Sequence, residues 1–519
     1  MRARGTLALG LLGLALITGL GGCKDKQPKP DPSSLAALEA EGPPHTPDCR
    51  SWEELDFDSL EPLPEAPHMA AFDQVWRTVA RKHYDPTLAC LDWLALREQY
   101  GKKVGEAGDD TAAAYAAINE LLGLLGQSHL HATAPTKSST RERDSGPAVV
   151  PIAVRWLPLE SGSTEHGAVV VDASVDAHQS GLPVGAILTK VAGESVAEVA
   201  EEVAGAIQAR EGRPTEVAFM VAQAIGAMLS CPEGGNKTLS FLDPGAEDAE
   251  RELEVACFLP EGERISLGNL RNLPTTVEWR MIGDPEPEPA KVEGEVETPP
   301  EPADPTPEPA DPADAKIGYL AFNFWMLPMT ERVRAGVGEL RERGMKALII
   351  DLRGNPGGVG AMSIPIARMF LREGTSLGRL QMREFNQEFR IEPNPTAFDG
   401  PIAILVDEGT ASTSEIFAVG MRDIGRVVVV GAGPSAGMAL PSMIETLPDG
   451  GLIQYVVGDY HSAKGTAAEG EGVDPEVGVD ESRADYAAGR DPVLEAAVDL
   501  LRKRVQDSPD TPEVGDPSK

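Results

Sequence analysis

Apolar residues recur at helical spacing in three early segments. Met69–His83 sets Phe72, Val75, Trp76 and Val79 on one face, and Leu88–Tyr100 and Thr111–Leu125 continue the pattern. The period then changes. Val149–Val154 and Ala168–Val171 read as strands, Ser180–Leu188 as a turn leading into a strand, Val191–Ser195 as a tight turn, and Val196–Ile207 as an amphipathic helix. Thr215–Met281 is mixed, with Lys237–Leu242 and Glu252–Leu259 as a candidate hairpin. From Ile317 onward the two periods alternate. Strand Ile317–Ala321, helix Thr330–Arg343, strand Met345–Leu352, helix Ala361–Leu371 and strand Ile402–Val406 come first. A helix from Ser412 with Ile416, Phe417, Gly420, Met421 and Ile424 on one face follows, then strand Val427–Val430, Leu452–Tyr460, Gly472–Val479 and helix Pro492–Val505. Near-continuous apolar strands between helices predict an α/β domain with buried strands.

Composition divides the chain around these elements. Its 519 residues are too many for one core. Residues 23–67, rich in Pro, Glu, Lys and Ser, read as a flexible tether, and 284–315 repeats Pro-Glu, Pro-Ala and Asp-Pro as an acidic linker that cannot bury enough apolar surface to fold. Residues 506–519 are a polar tail. The net charge of −36 argues against nucleic acid as a partner, since nothing here neutralises phosphates. Arg2 and Arg4 precede an apolar run, Leu7–Leu20, too short and glycine-rich to span a membrane. Leu20-Gly21-Gly22-Cys23 resembles a bacterial lipoprotein cleavage box, which implies loss of residues 1–22, a lipid on Cys23, and an exported chain held at a membrane of the cell envelope. The other cysteines, Cys49, Cys90, Cys231 and Cys257, are an even set in an oxidising compartment. Three pairings exist; Cys49–Cys90 with Cys231–Cys257 is favoured because each closes a local loop. No CxxC spacing points to zinc.

The chemistry centres on Pro401–Gly425. Asp407-Glu408-Gly409-Thr410 breaks a buried strand, and Ser412 opens a helix, where unpaired N–H groups and the positive end of the helix dipole favour a nucleophile and its oxyanion. Ser412-Thr413-Ser414-Glu415 is equally a capping box, which contributes only ~1 kcal/mol and is common. A second strand ends in Asp351-Leu352-Arg353-Gly354-Asn355-Pro356-Gly357-Gly358. This turn lacks the lysine and spacing of a phosphate loop.

Together, Asp351–Gly358 and Thr410–Ile416 resemble the tail-specific (C-terminal processing) and tricorn-core serine peptidases. Gly318-Tyr319-Leu320 and Gly472-Val473-Asp474-Pro475-Glu476 match the family's flanks. The resemblance implies a tricorn-core, crotonase-like protease domain over 316–505. A helical domain over 68–146 and a module over 147–207 resembling a PDZ domain, with Ala186 in place of the usual aspartate, would precede it, leaving 208–283 as a β-rich segment of unknown role. A PDZ-like module would hold an extended peptide by strand addition. By resemblance, Ser412 is the nucleophile, Ser414 a structural serine, and the N–H of Thr413 with that of Gly357 or Gly358 the oxyanion hole.

The processing branch uses a lysine base, but the corresponding position here is Gly437, and Lys464 matches no family lysine. The tricorn-like branch uses histidine and glutamate. Leu122–His129 resembles its Gly-x-Ser-His signature, making His129 the base, Ser128 its supporting hydroxyl, and Glu469 (or Glu471) the carboxylate beside the imidazole. His129-x-His131 could also suggest a metal, but no third ligand at useful spacing accompanies it. The expectation is an exported, lipid-anchored serine peptidase cutting peptides or unfolded segments through an acyl-enzyme, with no metal or organic cofactor. An unperturbed histidine base would lose activity in mild acid. The alternative is a silent peptide-binding lipoprotein that keeps the fold, motivated by the missing lysine and by Pro434 and Met438 beside the site.

Overall fold

The computed structural model describes residues 43–135, 146–175, 178–209, 212–267, 270–284 and 316–507. The signal segment, Cys23, nearly all of the acidic linker and residues 508–519 lie outside the described residues.

The first unit is helical. Met69–Lys82, Trp93–Ala107 and Thr111–Gly123 pack around Phe72, Val75, Trp76, Leu96, Ile118 and Leu121. The Trp76 and Trp93 rings stack, and each indole N–H donates to the other's backbone carbonyl, at 2.7 and 3.1 Å. The middle helix starts at Trp93, not Leu88, because Leu88, Ala89 and Cys90 have positive φ in a loop tied by the Cys49–Cys90 disulfide. Residues 43–67 are not tether. Trp52 is buried, and Leu55, Phe57, Leu60 and Leu63 pack against the helices. Proline and glutamate masked that apolar series.

The second unit is a six-stranded sheet in the order 153–158, 166–172, 187–191, 236–243, 246–256, with Glu194–Ser195 paired off this path to Ile187–Val191. It packs on helices Val196–Ala209 and Pro214–Met228. The sheet therefore continues past residue 207. The Asn236–Asp243/Ala246–Ala256 hairpin completes it, and Cys231–Cys257 closes its base. Residues 208–283 are divided, since Val277–Met281 pairs antiparallel with Ile317–Phe322 at the edge of the third unit.

That third unit is built on a six-stranded sheet in the order 277–281, 317–322, 347–351, 402–406, 428–431, 477–478, parallel except at the first pair. Alternate residues divide between its faces. Leu348, Ile350, Ile402, Ile404 and Val429 meet helices Met329–Glu342 and Thr413–Asp423, while Ile349, Ala403, Leu405 and Val430 meet helix Pro492–Asp507. Burial on both faces explains the unbroken apolar runs. The predicted helix Ala361–Leu371 is split into short turns over 360–370, with Pro365 lacking the N–H a continuous helix needs. Leu452–Tyr460 is two strands, Leu452–Val456 and Gly458–Ser462, in different sheets. Among the described residues no helix is long and apolar enough to cross a membrane.

Beneath the sheet edge, buried Arg353 pairs with Asp351 at 2.7 Å and Asp491 at 2.9 Å. Removing the cation strands two carboxylates. Arg353→Met is expected to destabilise the core by about 3–5 kcal/mol, read as a lowered urea midpoint; an unchanged midpoint would contradict this.

Candidate active site

Strands Ala347–Asp351 and Ile402–Val406 are parallel neighbours, with Asp351 opposite Leu405. Both motif loops therefore leave the same edge of the sheet, where open α/β folds bind ligands. Side chains lace them together. The Thr410 hydroxyl donates to the Leu352 carbonyl at 2.8 Å, and the Thr413 hydroxyl to the Gly358 carbonyl at 3.0 Å. The Asn355 carbonyl accepts from the Ala411 N–H at 3.1 Å and the Ser414 hydroxyl at 3.0 Å. Ser414 Oγ also accepts the Trp325 indole N–H at 2.8 Å, so this serine is a buried structural link.

Ser412 has φ 55° and ψ −120°, a conformation costing of order 1–3 kcal/mol in a residue with a side chain. Its surroundings enforce it. The Ser412 N–H is shared between the Met438 carbonyl and the Glu415 carboxylate, both at 2.9 Å, and its carbonyl accepts the Glu415 N–H at 2.9 Å. Glu415 thus reaches back as a capping residue does, completing a capping box with Ser412. The glycines opposite are required. At Gly357, with φ 99°, a Cβ would lie 2.6 Å from Ser412 Cβ; at Gly358, with φ 143°, 2.4 Å from the Trp325 carbonyl oxygen. The Gly357 N–H donates to Asn355 Oδ1 at 3.0 Å.

His129 arrives by strand pairing. His131–Thr133 adds antiparallel to Leu452–Val456, with His131 opposite Gln454, while Asn119 bonds both backbone groups of Ala132, at 2.9 and 2.7 Å. The loop just before this strand then meets Glu469. The Ser128 N–H donates to Glu469 Oε1 at 2.9 Å, the Ser128 hydroxyl to Oε2 at 2.8 Å, and the Ala439 N–H to Oε2 at 2.9 Å. Ser128 Oγ is 2.9 Å from His129 Nδ1. Because the one hydroxyl proton goes to the carboxylate, the serine oxygen accepts from Nδ1–H, and Nε2 carries the lone pair. Glu469 was expected beside the imidazole; its hydrogen bonds go instead to Ser128, which lies between it and the ring. Glu471 is exposed. His129 lines a cavity of about 120 Å³ shared with Pro356 and Ala411, which precede Gly357 and Ser412 in sequence, and with Met438, whose carbonyl accepts the Ser412 N–H. No hydrogen bond joins His129 to Ser412 among the described residues.

Burial, with a smaller contribution from His131, pushes the His129 pKa down to about 4, so the ring is neutral through the physiological range. The mild-acid loss expected of an unperturbed ring does not come from this one. Burial also raises the Glu469 carboxyl. The position where the processing branch carries its lysine is a glycine with left-handed backbone. Gly437 has φ 69°, and a Cβ there would lie 3.0 Å from Gly470 C and from Thr215 Oγ1. Lys464 is exposed.

The sequence reading missed Phe219 and Met220, which line the same cavity from helix Pro214–Met228. Pro214 at the first helical turn, ahead of an alanine-rich apolar run, was the available signal.

Residues 316–479 match peptidase family S41, and residues 64–123 match the tricorn protease C1 domain. The chain is 25% identical over 431 residues to a carboxyl-terminal-processing protease of Synechocystis sp., covering 82% of this chain and 85% of that one. Among solved structures it resembles a photosystem II D1 C-terminal processing protease, with TM-score 0.50, 20% identity and coverage of 84% and 98%. It also resembles mature CPAF complexed with lactacystin, with TM-score 0.52, 14% identity and coverage of 85% and 99%. At these identities the two structures speak to the fold alone.

Histidine ¹⁵N shifts test the ring's state directly. His129 is expected as the Nδ1–H tautomer with a midpoint near 4. A midpoint at the ordinary ~6.5 would contradict the burial argument.

Proposed function

We propose, from the premise that residues 316–479 are a peptidase family S41 domain and the chain a serine-type peptidase, that it cuts peptides or unfolded segments with Ser412 as nucleophile and His129 as base. The observation that carries this reading is the Glu469–Ser128–His129 chain of hydrogen bonds ending in an unprotonated Nε2. His129 lines a cavity shared with Ala411, the residue before Ser412, and with Met438. In the reaction, Nε2 takes the Ser412 proton as Oγ attacks the scissile carbonyl. The tetrahedral oxyanion meets the Thr413 N–H at the helix N-terminus and the Gly358 N–H, the Gly357 N–H being committed to Asn355. The imidazolium then protonates the leaving amine, for which a low pKa makes it a strong acid, and water resolves the acyl-enzyme by the reverse path. Ser128 passes the stabilising influence of Glu469 to the cation. Apo catalytic contacts are commonly long and tighten with substrate, consistent with the missing Ser412–His129 bond.

The module built on the second sheet fits the PDZ-like role of presenting an extended segment by strand addition. It is fastened to the core by Arg155, which pairs with Glu408 at 2.7 Å and Glu481 at 2.8 Å. Export with a lipid on Cys23 completes the proposal; Cys23→Ala should move the chain from the membrane to the soluble fraction of a bacterial host, and an unchanged distribution would remove the anchor.

Fluorophosphonate labelling tests the chemistry. The full chain is expected to label at Ser412, Ser412→Ala not at all, and His129→Ala about 100-fold more slowly or worse. A wild-type chain that does not label would leave the silent peptide binder.

A further inference from the structure

One carboxylate beside the site has no part in that chemistry. Glu415, on the first turn of helix Thr413–Asp423, is 0% exposed, and no charged side chain pairs with it among the described residues. Four donors surround it instead. Oε1 accepts the Ser435 hydroxyl at 2.6 Å and the Gly437 N–H at 2.7 Å; Oε2 accepts the Ser412 N–H at 2.9 Å and the Met438 N–H at 3.0 Å. An ionised carboxylate offers about four acceptor sites and no donor, so this set fills it.

The far end of the same turn is held by the other carboxylate. The Ala439 N–H donates to Glu469 Oε2 at 2.9 Å, and the Gly437 carbonyl accepts the Gly470 N–H at 2.7 Å. Residues 435–439 therefore run from the acid under Ser412 to the acid that holds Ser128 and His129. They do so on the stretch that holds Gly437, where the backbone has φ 69°. A helix cap alone needs only the bond to the Ser412 N–H; the other three go to this turn.

We infer that Glu415 is a positioning residue whose ionised carboxylate clamps the 435–439 turn and so sets the spacing between Ser412 and the Ser128–His129 pair. The inference rests on the peptidase reading above. Protonation places an O–H where four donors converge and releases at least one of them. Burial is the dominant influence and raises the Glu415 pKa to about 7 against the opposing hydrogen bonds. The groups facing it from the packed elements are the Ser435 hydroxyl and the N–H groups of Ser412, Gly437 and Met438. Glu469, with Arg213 acting on it, lies beyond Ala439. The clamped form is the charged one, present above the raised pKa and lost as pH falls through about 7, whereas His129 stays neutral down to about 4. A loss of activity just below neutral is therefore not the titration of His129; the Glu469 carboxyl is raised too, and Glu415→Gln separates the two.

The test is the pH dependence of fluorophosphonate inactivation of the full chain, resolved into the maximal rate and the half-saturating concentration. The wild-type maximal rate is expected to fall on the acid side of about pH 7. In Glu415→Gln, whose amide turns donors toward donors, the rate should drop about 100-fold, half-saturation should change less than threefold, and the limb near neutral should vanish. Ser435→Ala removes a donor that favours the charged form and should move the limb to higher pH, which a purely structural role would not do. A limb that persists in Glu415→Gln, or stays in place in Ser435→Ala, overturns the inference. If Glu415→Gln does not fold, Ser435→Ala decides alone. A wild-type chain that never labels overturns the peptidase reading and this inference with it, whereas a labelled chain with an unmoved limb overturns this inference alone.

Discussion

The site depends on one short piece of strand pairing. His131–Thr133 adds to Leu452–Val456, and the register that sets His131 against Gln454 carries the preceding loop to the core. Strand register is strict because a one-residue slip would turn Ala132, buried and bonded by Asn119 on both backbone groups, to the wrong face. The helical unit reinforces the pairing. Its apolar core takes in Leu440, Leu447, Ile453 and Tyr455 of the third unit, and Asp449 bonds Tyr115 and His68. A residue separated from Ser412 by more than half the chain is fixed by packing rather than by proximity in sequence.

The rest of the site is held by carboxylates used as acceptors. Glu469 gathers two donors from Ser128 and one from Ala439, and Glu415 gathers four from the serine turn and the 435–439 turn. Neither is hydrogen-bonded to a cationic side chain among the described residues, and Arg213 acts on Glu469 only through its charge. Such groups are costly to bury and are tolerated only when fully bonded. The strained backbone of Ser412 persists because these bonds over-determine it. Gly437 carries no side chain, and the imidazoles of His129 and His131 line the cavity.

Much of this was legible in the chain. Ile402–Val406 is a strand with the expected bounds, because burial on both faces writes itself as an unbroken apolar run. The two motif loops, the structural Ser414 and both disulfide pairings also follow the sequence reading. Where the reading failed, a local signal was outweighed. Proline and acid in 43–67 hid the apolar spacing from Trp52 to Leu63, and the sheet of the second unit recruited a hairpin across two intervening helices. Glu415 looked like a cap and is one; its three further donors come from a turn about twenty residues on, which no local pattern announces. Glu469 does reach the His129 loop, but its bonds go to Ser128, which depends on how that loop folds.

The structure of a peptidyl phosphonate adduct tests the central claim most directly. With phosphorus bonded to Ser412 Oγ, the account predicts His129 Nε2 within about 3.2 Å of that oxygen, and the Thr413 and Gly358 N–H groups directed at a phosphonyl oxygen. An adduct in which the ring stays out of hydrogen-bond reach, or in which another side chain takes its place, would contradict it.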